Sequence, residues 1–93
     1  MSVAHLAGPT IQTDFEGLKR MAKEFHESLP ALDHEGLESG MKAFGLAYLG
    51  CTFPDNMLGQ ANRLAGAPAL LRIVTREYVA RQIELDAGAG GAA

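Results

Sequence analysis

Apolar and polar positions along this chain recur at helical spacing, in four blocks divided by proline, glycine, aspartate and asparagine. In the first block Phe15, Leu18, Ala22, Phe25 and Leu29 share one face with Met21 on its flank, while Lys19, Arg20, Lys23, Glu24 and Glu27 fill the solvated remainder. Thr13 followed three residues later by Glu16 is a capping box, and Asp14 adds charge suited to the positive end of a helix. Leu29 before Pro30 is biased away from helical angles, so the pattern predicts a helix over 13–29.

The second block carries two superimposed repeats. Leu37, Met41, Phe44, Tyr48 and Cys51 recur in steps of four, three, four and three, and one position earlier at each step stand Gly36, Gly40, Ala43, Ala47 and Gly50. A seam of nearly bare backbone therefore runs beside a bulky stripe on a helix predicted over 33–51 and capped by Asp33. Each glycine inside a helix costs about 1 kcal/mol relative to alanine. Close approach of another helix along Gly36, Gly40, Ala43 and Ala47 offsets that through dispersion contacts. This second helix belongs to the same chain, to a second copy or to a different protein. The short link through Pro30, Ala31 and Leu32 makes the first two helices an antiparallel hairpin.

Thr52-Phe53-Pro54-Asp55 interrupts the pattern, and Asp55 or Asn56 caps a short helix over 55–65 running through Met57, Leu58, Ala61 and Leu64. Gly66 suits its C-terminal end and Pro68 the first turn of a last helix over 68–86. There Leu70, Leu71, Val74, Tyr78 and Leu85 point inward, and Ile73, Val79 and Ile83 widen the apolar arc beyond one stripe, as a helix with two neighbours would require. With no alternating strand pattern and no solenoid period, the expected fold is all-α: four helices in one domain over 13–86, flanked by a flexible segment over 1–12 and a flexible Gly/Ala tail over 87–93.

Size changes what such a fold requires. About 75 residues of useful core leave a few kcal/mol of net stability, and the single cysteine, Cys51, excludes an internal disulfide. Cys51 lies on the apolar stripe, where it reads as core. Association is the natural source of further burial, so a protein partner is expected.

Net charge is −3, with the acidic excess in the first half, which argues against broad affinity for nucleic acid. A runner-up function nevertheless follows from Arg63, Arg72, Arg76 and Arg81, which would form a ridge facing phosphates, partly neutralised by a Glu77–Arg81 pair at i, i+4. The turn at Gly66-Ala67-Pro68 has the outline of a helix-turn-helix, but Ala69, Leu70 and Leu71 stand where polar base-reading residues belong.

Catalytic chemistry is not indicated. No nucleotide-binding or nucleophile motif is present, and His26, Glu27, Asp33, His34 and Glu35 around the first turn lack metal-ligand spacing, so neither a metal nor a cofactor is expected. No signal peptide or membrane anchor is recognisable at the start, and Glu35, Glu38 and Lys42 break the apolar run of the second helix, so a cytoplasmic protein that avoids membranes is expected. The abundance of Ala and Gly, with arginine favoured late, points to a bacterium or phage. The functional expectation is a non-enzymatic interaction module, an accessory subunit, adaptor or inhibitor, that self-associates or docks on a larger protein through the small-residue seam and the face of Ile73, Val79 and Ile83.

Overall fold

The computed structural model describes the backbone of residues 10–92 and the side chains of residues 10–88. His5 and most of the predicted N-terminal segment lie outside the described residues. Within them the chain is mostly helical, with three main helices: α1 (Phe15–Ser28), α2 (His34–Leu49) and α3 (Ala67–Ala92).

Asp14 rather than Thr13 caps α1, its carboxylate accepting from the Gly17 N–H at 2.8 Å. Thr13 is drawn instead into a short parallel ladder. Residues β1 (Thr13–Asp14) pair with β2 (Cys51–Thr52), Thr13 opposite Cys51. Ladders of two residues have no periodicity to read, and this one consumes the Thr13 and Cys51 positions expected to be helical. It also closes the end of α2: Leu46 O, which accepts from the Gly50 N–H, takes a second bond from the Ile11 N–H, and Gly50 O, which the helix leaves unpaired, accepts from the Thr13 N–H. A side chain at Gly50 would run into the Ile11 carbonyl. Glycine is what lets the two stretches of chain come this close.

A 3₁₀ turn, Leu29–Ala31, leads from α1 toward α2, which Asp33 caps through its bond to the Gly36 N–H at 2.8 Å. The expected hairpin gives way to a different emphasis, since α1 and α2 each pack more extensively on α3 than on one another.

The four-helix count is corrected at Gly66. A short helical lead-in, Met57–Ala61, capped by Asn56, passes without a break through a π-helical turn, Asn62–Gly66, into α3. Pro68 has no N–H to offer the carbonyl one turn back, and its ring crowds that turn. The widened π-turn, in which the Ala67 N–H reaches Asn62 O, accommodates the proline without ending the helix. Gly66 does not terminate anything: a Cβ there would lie 2.9 Å from Phe15 Cζ, so its bareness admits the Phe15 ring, which also lies 6.0 Å from that of Phe53. At about 1.5 Å per residue the helical path from Met57 to Ala92 spans about 54 Å, and the molecule's long dimension is 54 Å. It includes most of the stretch expected to be a loose tail.

The buried core is small. Leu18, Ala22 and Phe25 come from α1, Leu37, Phe44 and Ala47 from α2, and Ala67 and Val74 from α3, so three of the eight are alanines. Met57, Leu58 and Leu64, large apolar positions of the expected short helix, are exposed, as is Leu49. The lead-in extends past the two helices that would have covered it.

Candidate interaction surface

The small-residue seam on α2 is largely occupied from within. At Gly40 an added Cβ would lie 2.8 Å from Phe25 Cε1, so α1 uses the glycine to bring its phenylalanine ring against the α2 backbone. At Gly36 the nearest neighbour is Leu32 Cδ2, 3.1 Å from the same ideal position, and Ala47 is 0% exposed. Between α1 and α2 there remains an open groove of about 200 Å³, lined by Met21, Phe25, Leu32, Gly36, Gly40 and Ala43 among others. Of the four seam residues, Ala47 is closed to a partner, while Gly36, Gly40 and Ala43 are among the lining of that groove.

The opposite outcome holds on α3. Val74 is wholly buried in the core, and Leu70, Leu71, Tyr78 and Leu85 are partly buried against the core cluster along the same helix. Ile73, Val79 and Ile83 are 51%, 44% and 61% exposed. Turning about 100° per residue, a helix carries Val79 and Ile83 about 140° and 180° round from Val74, so these two branched side chains stand on the side away from the core. Arg72 and Arg76 are exposed on the same side, and neither has a carboxylate within ion-pair distance among the described residues.

Arg81 is not part of a ridge with them. Five positions beyond Arg76 the helix has turned by about 140°, and the guanidinium points to the turn between α1 and α2, donating from Nη2 to Pro30 O at 3.2 Å and Leu32 O at 3.4 Å, and from Nη1 to Glu84 at 3.2 Å. Its planar fork suits carbonyls that a 3₁₀ turn leaves without helical partners. Arg81 Nε is buried without a partner. The predicted Glu77–Arg81 pair is replaced by contact of Glu77 with His26, Nδ1 to Oε2 at 2.6 Å. Arg63 bonds Gln60 and lines a separate hollow with Cys51, Phe53 and Asp55. Of the four arginines, only Arg72 and Arg76 therefore share a face, and the continuous helix through Gly66 leaves no turn for a helix-turn-helix.

The acidic, histidine-bearing turn is drawn apart. His26 meets Glu77, and His34 Nε2 lies 3.4 Å from Asp86, so each imidazole faces a different carboxylate of α3. Among the described residues no three histidine, cysteine or carboxylate side chains converge as metal ligands would. Cys51 is half-buried beside the core, and burial, with a smaller contribution from the negative charge of Asp14, pushes its thiol pKa up. A raised pKa reduces thiolate and so opposes a nucleophilic role. None of the described helices is long and apolar enough to cross a membrane.

Comparison with protein-family models, with curated proteins and with solved structures finds no match.

Proposed function

We propose that this chain is a non-enzymatic protein–protein interaction module, an accessory subunit, adaptor or inhibitor, whose contact face is the outer side of α3. The observation that carries this is the contrast on one helix: Val74 wholly buried, with Val79 and Ile83 exposed on the other side. Branched aliphatic side chains repeated on the solvent side of a helix lower solubility unless something covers them. The groove over Gly36, Gly40 and Ala43 offers a second, shallower place for an apolar side chain of a partner. A lone cysteine held as a thiol suits the reducing cytoplasm as the place of work.

Light scattering in line with gel filtration tests the proposal, on wild type and on the Val79→Ser/Ile83→Ser double variant, each purified gently from the native host so that a companion would be retained. A mass above the monomer, or a polypeptide co-eluting in fixed proportion, that is lost in the double variant supports it. Its persistence in that variant removes α3 from the interface, and a bare wild-type monomer with no companion removes the proposal.

A further inference from the structure

The proposed module leaves its partner open, and the charges flanking the α3 face single one out. We infer that the partner is a second copy of this chain, packed antiparallel along α3. This rests on α3 being the contact face.

Arg72, Arg76, Val79, Ile83 and Asp86 follow one another in steps of four, three, four and three, the spacing of a seam between two helices. All five are exposed and lie about 120–200° round the helix from Val74, with Arg72, Arg76, Val79 and Ile83 on the side away from the core and Asp86 at its edge, 3.4 Å from His34 at the start of α2. Basic residues occupy one end of the seam, an acidic residue the other, and apolar residues the middle. Such an order is complementary to its own reverse.

With a two-fold axis level with residue 81, Arg76 of each copy stands opposite Asp86 of the other, and Val79 opposite Ile83. Every contact is made twice, as an isologous interface requires. The parallel alternative sets Arg72 against Arg72, Arg76 against Arg76 and Asp86 against Asp86, three like-charge layers with nothing to offset them. Within the monomer Arg76 has no carboxylate partner among the described residues, and Asp86 pairs with His34 at 3.4 Å between two exposed side chains, which leaves its carboxylate accessible for a second pairing across the axis. With two kinds of layer and a short seam, the dimer is reversible and sensitive to concentration.

Charge reversal gives a test that reads both orientation and partner. Arg76→Asp places two carboxylates in each outer layer, and Asp86→Arg places two guanidinium groups there, so each variant alone should dissociate at concentrations about tenfold or more above the wild type. Mixed in equal amounts they regain complementarity in every outer layer and should recover the dimer mass, as should the Arg76→Asp/Asp86→Arg double variant alone. Circular dichroism equal to wild type checks that these exposed positions leave the fold intact.

A wild type that stays monomeric at millimolar concentration overturns the second copy as partner, while docking of α3 on a different protein survives. Dimers that persist in both single variants overturn the antiparallel register and leave self-association standing. A mixture that fails to reassociate also overturns the register.

Discussion

The Phe25 ring lies where a side chain on residue 40 would have to go. An ideal Cβ on Gly40 would be 2.8 Å from Phe25 Cε1 and 2.9 Å from Cδ1, and Phe25 is itself a buried core residue. The glycine on α2 is thus a receptor for α1.

Gly40→Leu should therefore act on folding before it acts on any partner. Overpacking against a buried ring costs about 1–3 kcal/mol, against the roughly 1 kcal/mol of helix propensity that leaving glycine returns. Urea unfolding followed by circular dichroism should show a lower midpoint with an unchanged slope. An unaltered midpoint would mean that the ring can move aside and that the seam is open to outside contacts.

Gly45 supplies the contrast. Nothing lies within 4 Å of its ideal Cβ, so Gly45→Ala adds a methyl group in free space on the same helix. The substitution should stabilise the protein by about 0.4–1 kcal/mol through the reduced freedom of the unfolded chain. A higher midpoint in the same urea experiment checks this, and a lower one would place an unseen neighbour over Gly45.

Arg81 secures the connection between α1 and α2 across 51 and 49 residues of chain, through Pro30 O and Leu32 O. Arg81→Met keeps much of the aliphatic packing and removes the donors, and should cost about 1–3 kcal/mol. Arg81→Lys, which places one ammonium where a fork reached two carbonyls, should recover only part of that loss. Hydrogen exchange should quicken locally in residues 29–36 in the methionine variant. Uniform acceleration over the whole chain would instead identify Arg81 as part of the global core.

The Cys51 thiol, its pKa raised by burial and by Asp14, should react with iodoacetamide at pH 8 more slowly in the folded protein than in urea. The sign of the accompanying pH dependence follows from linkage. The folded state holds the proton more tightly, so this contribution to stability is complete below the unfolded thiol's pKa and disappears as pH rises through the folded value. Cys51→Ala should flatten the alkaline decline, as thermal melts between pH 8 and 10 would register.

The sequence reveals those features that are specified within a few residues. Asp33 caps α2 as expected and Asn56, one of the two candidates with Asp55, caps the lead-in, and the stripes on α1 and α2 face the core because the three-four spacing of large residues admits no other face. What escapes is long-range. Gly66 and Pro68 are, locally, a helix stop followed by a helix start, and only the Phe15 ring against Gly66 and the π-turn before Pro68 reveal that both serve one unbroken helix. Arg81 joins Arg72 and Arg76 in composition but not in space, since the carbonyls it serves lie in another turn of the chain. The outward placement of Ile73, Val79 and Ile83 was legible as an excess of apolar surface; the charges that frame Val79 and Ile83 acquire meaning once the covered side of α3 is known.

The unbroken path from Met57 through α3 makes this helix a spacer as well as a face. It holds the exposed Met57, Leu58 and Leu64 on one arm and Val79 and Ile83 on the other, about 20 residues and hence about 30 Å apart along the axis. The one-residue widening at Asn62–Gly66 sets the azimuth between them, because inserting a residue into a helix rotates everything before it by about 100° relative to everything after. Deleting one residue there would leave both patches intact while turning them to a new mutual angle, so the π-turn fixes the bearing at which two occupants of this rod would be held.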